Sequence, residues 1–216
     1  MKRALLALVI GLSLAGCGGD SMDESNAISV YFLRDGKVWP VRREVGQLDV
    51  TSVVDALRAG TTEQERAELN LTTEVPTGDT EPSKAGLAQL VYTMTQPPLF
   101  DSVEIDGKRY TRADVEEQTP LILVESPLAY EEVTSPLRVT GTANTFEATF
   151  QYELKDSSGE VMDEHFVTAT SGTGTRGTFD FTTKPFEDVG SLVVFELSAK
   201  DGSRVNEVEI PLRTSR

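Results

Sequence analysis

The sequence predicts two domains of different class. Residues 28–112 read as an α+β domain, a small mixed sheet with helices, and residues 120–214 as an all-β sandwich. Three observations carry this. Residues 28–112 combine strand-like alternation with apolar residues at i, i+3, i+4 and i+7. From Pro120 the helical period disappears, and about seven short alternating runs follow, separated by turn residues. Between the two, "RADVEEQTP" is polar, and residues 113–119 read as a linker with one helical turn before Pro120.

Ahead of the first domain stands "MKRALLALVIGLSLAGCGGD". Lys2 and Arg3 form a positive n-region, and Ala4 to Leu14 is apolar. A membrane-spanning helix needs roughly 20 apolar residues, so residues 1–16 read as a signal peptide. Leu14-Ala15-Gly16-Cys17 resembles the lipobox of bacterial lipoproteins, in which the cysteine thiol receives diacylglycerol and becomes the first mature residue. Cys17 is thus the expected lipidation site and the contact with the membrane. Residues 17–27 read as a flexible tether.

In the first domain, "ISVYFL" and "KVWPVRREV" flank Asp35-Gly36, a strong hairpin signal. Val38, Pro40 and Arg42 are expected on one face, with Pro40 marking an edge strand. "TSVVDALRAG" reads as a short helix with Thr51 as its cap and Gly60 at its end. Thr62 and Glu65 have capping-box spacing. "SKAGLAQLVYTMTQ" is the clearest helix: Ser83 caps it, Leu87, Leu90, Val91 and Met94 form its apolar face, and Pro97-Pro98 stops it. "SVEIDGKRY" returns as strand with a turn at Asp106-Gly107.

The sandwich strands are "LILVES", "LRVTGTA", "FEATFQYELKD", "EVMDEHFVTAT", "GTFDFTT", "SLVVFELSAKD" and "VNEVEIPLR". Alternation is expected to put Phe146, Ala148, Phe150 and Tyr152 on one face.

Composition narrows the function. The single cysteine excludes an intrachain disulfide and a thiolate metal cluster. The formal charge of −15 repels phosphate backbones and anionic headgroups, so no nucleic-acid partner is expected. The lone His165 falls in an alternating strand, sharing a face with Asp163 and Val161, where a solvated position outweighs catalysis. Glu131-Glu132 and Glu116-Glu117 sit in loops, unlike a glycosidase pair. "DSSGE" and "DGSRVNE" carry a trace of calcium-loop character without an EF-hand's ligand set. Trp39 and Tyr31 could line a sugar-binding surface, although burial against the long helix is the stronger reading.

"TSGTGTRGTF" sets Gly172, Gly174 and Gly177 at G-x-G-x-x-G spacing. A dinucleotide loop needs a helix opening within it. Here "TFDFTTKPF" follows and alternates as a strand, so no nucleotide is expected and the glycines are assigned to backbone conformation. Gly172, Gly174, Arg176 and Gly177 stand as a candidate partner-contact loop, with Arg176 at its tip.

On these residues a resemblance to known families can be stated. "ISVYFLRDGKVWPVRREV", "VVDALRAGTTEQERAELNLTTEVPTGD" and "GLAQLVYTMTQPPLFDSVEIDGK" resemble the GerM-type domain of bacterial sporulation and germination proteins. "ILVESPLAYEEVTSPLRVTGTANTFEATFQYEL", "TATSGTGTRGTFDFTTKPF" and "GSLVVFELSAKDGSRVNEVEIPLR" resemble the immunoglobulin-like domain that follows it in such lipoproteins. Relative to that family, Val75-Pro76-Thr77-Gly78-Asp79 runs almost directly into Ser83. The first domain is therefore expected to be shortened, lacking part of its usual sheet and leaving one helix face poorly covered. The resemblance implies a non-enzymatic protein without cofactor, anchored outside the cytoplasm to a bacterial cell membrane, which binds protein partners of the envelope. The alternative expectation is a cell-wall glycan or small-ligand binding lipoprotein.

Overall fold

The computed structural model describes residues 26–75, 81–97 and 99–215. The chain divides into two compact units, Met1–Thr119 and Pro120–Arg216.

The first unit opens with a hairpin of β1 (Ala27–Arg34) and β2 (Lys37–Glu44), antiparallel throughout. Ala27, expected in the tether, is the first residue of β1. Asp35 and Gly36 take left-handed φ of 52° and 73°, the turn that matches strand twist. Three helices follow: α1 (Val50–Arg58), α2 (Glu63–Leu69) and α3 (Lys84–Met94). The cap of α1 is Asp49 rather than Thr51, because the Asp49 carboxylate accepts the Ser52 N–H at 2.9 Å. Thr62 and Glu65 form the expected capping box on α2, and Arg43 of β2 clamps the Glu65 carboxylate with two 2.7 Å contacts. Burial pushes the Glu65 carboxyl up, but Arg43 and Thr62 outweigh it and hold it below its ordinary value.

The expected mixed sheet is not found: every strand pairing among the described residues of this unit is antiparallel. The reason lies on the free edge of β1. Leu33 exchanges both backbone hydrogen bonds with Thr72, at 2.9 and 2.8 Å, so alternation points the polar groups of Tyr31 and Ser29 the same way. These groups are met by side chains of the long helix. Thr93 Oγ1 accepts the Tyr31 N–H at 3.0 Å, and Gln89 Nε2 donates to Tyr31 O at 3.1 Å. Gln96, just beyond α3, accepts the Ser29 N–H at 2.8 Å and donates back to Ser29 O at 2.5 Å. Gln89, Thr93 and Gln96 thus stand where a neighbouring strand would. This orientation buries Val91 and Met94 as expected but leaves Leu87 and Leu90 half-buried. On the other edge, Pro40 faces Tyr31 in a pair whose polar groups point outward, so its missing N–H costs the hairpin nothing.

A second hairpin, β3 (Val103–Ile105) and β4 (Lys108–Tyr110), turns at Asp106-Gly107. Residues 113–119, expected as a linker, lie largely in two 3-10 turns over Arg112–Gln118 kinked at Val115, whose side chain is buried. The Thr119 hydroxyl donates to Tyr92 Oη at 2.9 Å, and the Lys37 ammonium donates to Glu117 O.

The second unit contains β5 (Ile122–Ser126), β6 (Glu132–Val133), β7 (Arg138–Ala143), β8 (Thr149–Lys155), β9 (Val161–Thr168), β10 (Gly177–Thr182), β11 (Ser191–Leu197), β12 (Arg204–Pro211) and β13 (Arg213–Thr214). A three-stranded sheet, β10-β7-β5, faces a four-stranded one, β12-β11-β8-β9, and β6 pairs in parallel with β13. The sheets meet through aromatic contacts: Phe150 packs edge-on against Phe179 at 4.9 Å and Tyr152 stacks on Phe181 at 4.6 Å. Phe150, Tyr152, Leu154, Leu192 and Val194 therefore face the core, while Gln151, Glu153, Val193 and Phe195 lie on the outer face of the larger sheet.

Candidate functional site

The glycine loop is built by close approach. A Cβ on Gly172 would lie 2.5 Å from the Ala148 backbone, and one on Gly177 2.2 Å from Ser171 N. Gly177 opens strand β10, not a helix, so no helix N-terminus faces the loop to receive a phosphate. Gly174, with φ of 94°, is the exposed turn. Arg176 does not occupy the tip. Its guanidinium turns back to Pro120 O at 2.8 Å and to Thr142, and it is half-buried. The loop is a fastened connection whose outward surface is Thr173 to Thr175.

One turn away, the expected alternation fails for a physical reason. The buried Glu196 carboxylate accepts the Phe146 N–H at 3.0 Å, and Thr173 Oγ1 accepts the Glu147 N–H at 3.0 Å. Glu147 and Ala148 are drawn into left-handed conformation, with φ of 53° and 58°. Strand β8 therefore begins only at Thr149, and Phe146 is 61% exposed instead of facing the core with Phe150. Leu197, which follows Glu196, and Val205, the cross-strand partner of Glu196, are also exposed. Two consecutive left-handed non-glycine residues cost of order 1–3 kcal/mol each, so the aromatic is held out by a rigid scaffold.

The second exposed phenylalanine lies on β9. Phe166 is 61% exposed, opposite Gln151 and hence on the outer face. Val161 and Met162, at the start of the strand, are also exposed. What holds β9 is Asp163, 4% exposed. It accepts from Tyr152 Oη at 2.7 Å and from the Lys184 N–H at 2.9 Å, and the Lys184 ammonium lies 2.9 Å from its other oxygen. Burial pushes this carboxyl up, but the Lys184 amide, the Tyr152 hydroxyl and the Lys184 charge prevail and hold it below the usual carboxylate range. Burial, reinforced by Asp163, raises the Tyr152 hydroxyl well above its ordinary value.

The remaining sequence-read residues take structural places. His165 is exposed and packs edge-on to Phe166 at 4.7 Å. It shares the Asp163 side of β9, but a bulge between Leu154 and Lys155 pairs Val161 with Lys155 and removes Val161 from that row. The Asp156 carboxylate accepts from Ser158 and Glu160, and that of Asp201 from Ser203, so both acidic turns are closed on themselves. Among the described residues no three His, Cys, Asp or Glu side chains group as a metal site. Glu131 caps the Leu128 N–H and Glu117 pairs with Lys84. Tyr31 is 1% and Trp39 7% exposed, so neither ring offers a face to a sugar. Cys17, the expected signal peptide and most of the expected tether lie outside the described residues. No helix among the described residues is long and apolar enough to cross a membrane.

The sequence assigns Phe146 to one face with Phe150 and gives Phe166 and Asp163 no role of their own. Phe166 was legible, since alternation sets it opposite the core-facing Val167. The exposure of Phe146 depends on Glu196, 50 residues away, and leaves no local signal.

No curated protein and no solved structure matches the chain. Residues 121–203, within the second unit, match the family model of the immunoglobulin-like domain of bacterial spore germination.

Proposed function

We propose that this protein is a lipid-anchored, non-enzymatic interaction module of the bacterial cell envelope with a germination-related role. The observation that carries the reading is the pair Phe146 and Phe166, each 61% exposed on a strand-bound scaffold. Exposed aromatics on rigid elements are the residue type that anchors protein interfaces. The match over residues 121–203 supports the link to germination, and the lipobox at Cys17 supports anchoring. The first unit, similar to GerM-type domains in the motifs quoted above, acts in this reading as a second assembly surface.

The test replaces Phe146 or Phe166 by a photo-crosslinking phenylalanine analogue in cells, with buried Phe150 as control. Protein adducts at the exposed positions, absent at the control, support the reading. Adducts with glycan alone, or none at either exposed position, contradict it. The burial of Trp39 and Tyr31 removes the residues on which glycan binding rested.

A further inference from the structure

The two larger sheets of the second unit have four edge strands, β12 and β9 in one and β10 and β5 in the other. Three are blunted. β12 carries Arg204, Glu207, Glu209 and Pro211 and is interrupted by a bulge. β5 is bulged between Val124 and Ser126 and runs into Pro127. The edge of β10 is engaged at Thr178, whose carbonyl accepts the Thr170 N–H at 2.9 Å.

β9 is different. Ala169 N–H donates inward to Ala148 O at 2.8 Å, while Thr170 N–H donates outward to Thr178 O. Backbone groups alternate along a strand, so Val167 and His165 bond towards β8, and Glu164, Phe166 and Thr168 present N–H and C=O to the free edge. Among the described residues no hydrogen bond beyond the strand ladder uses these groups. The pairing register is unbroken from Asp163 to Thr168. The same three residues project side chains on the outer face: a carboxylate, an exposed phenyl ring and a hydroxyl.

Resting on the protein-binding reading, we infer that β9 is a site of β-strand addition, and that its occupant is an extended partner segment with a basic and an apolar side chain two residues apart. Main-chain bonds to Glu164, Phe166 and Thr168 supply the attachment, as in other edge-adding complexes. The choice of side chains follows from charge. β9 presents the exposed Glu164 carboxylate, follows Glu160 and contains no lysine or arginine, within a chain of net charge −15, while Asp163 is already paired with Lys184. A cation two residues from an apolar group sets one against Glu164 and the other against Phe166. A second copy of the chain is a poor occupant, since its β9 edge brings another Glu160 and Glu164 and no lysine or arginine of its own to face them.

The probe is a peptide alternating threonine with lysine and valine, compared with its glutamate-for-lysine counterpart. Hydrogen exchange of the full mature chain reads the Glu164, Phe166 and Thr168 amides. The lysine peptide should slow their exchange and the glutamate peptide should not. Thr168→Pro removes an outward N–H without touching the β8 ladder, and should weaken binding about tenfold or more with the unfolding temperature little changed. Glu164→Lys should reverse the preference between the peptides, which keeps the test decisive if the proline variant misfolds. Absence of protection, equal protection by both peptides, or a dimer formed through β9 overturns the inference. If Phe146 crosslinks a protein while β9 stays silent, the edge assignment fails and the interaction module stands.

Discussion

Replacing Asp163 by alanine removes the acceptor for one buried and one part-buried donor, the Tyr152 hydroxyl at 2.7 Å and the Lys184 amide at 2.9 Å. Hydrogen bonds to a charged group contribute about 1.5–3 kcal/mol each. The Lys184 ammonium is mostly exposed, so screening limits its ion pair to under about 1 kcal/mol. Allowing for non-additivity, the loss is about 3–5 kcal/mol, within the range for breaking a buried pair. At the lower figure the melting temperature of a unit this size falls by roughly 12–24 °C. The assay distinguishes the units, because the chain's one tryptophan, Trp39, lies in the first. Calorimetry should show the second unit's transition moving down, while the transition followed by Trp39 fluorescence stays in place. The dependence on pH has a definite sign. Asp163 is held below its ordinary value when folded, so its contribution is present above the unfolded pKa of about 3.9 and is lost as pH falls through the lower folded value. The stability gap between the native chain and Asp163→Asn should therefore close on acidification below about pH 4. A gap that widens there, or an Asp163→Ala effect under about 1 kcal/mol, would refute the reasoning.

Three further outcomes follow from single residues. Gln89→Leu leaves Tyr31 O and the Glu74 N–H without their partner and should lower the Trp39-reported stability by about 2–4 kcal/mol, read by urea titration. Gly177→Ala drives a methyl into the Ser171 backbone and should destabilise the second unit by more than about 2 kcal/mol, whereas Gly46→Ala, in open space, should do little. Cys17→Ser should abolish lipid addition, seen as the missing mass increment and release from membranes. Unchanged mass and retention would remove the anchoring proposal.

What the sequence disclosed followed the range of the forces involved. Hairpins, caps and strand runs are local. Asp35-Gly36, the Thr62–Glu65 box, Ser83 and six of the seven long sandwich strands lie close to where period and turn chemistry put them, while β8 begins three residues late, at Thr149. The failures arise from partners distant in the chain. The α3 face was read from its leucines, yet Gln89, Thr93 and Gln96 turn it to serve β1, 58 to 67 positions away. The signal was present as polar residues at helical spacing in an apolar helix, but its meaning required the strand edge. The sequence puts Arg176 at the tip of an exposed loop. Its inward turn depends on Pro120 O, 56 positions away. The sequence motifs led to the glycine loop, whereas the exposed aromatics stand on β9 and before β8, where one residue follows the alternation and the other breaks it.

The most direct measurement is photo-crosslinking from Phe146 and Phe166 in living cells, performed with Cys17 intact and with Cys17→Ser. A protein adduct that forms at both exposed positions, is absent at Phe150 and weakens when the anchor is lost is the result expected of an envelope-tethered interaction module. Adducts only to glycan, or none above the buried control, would contradict it.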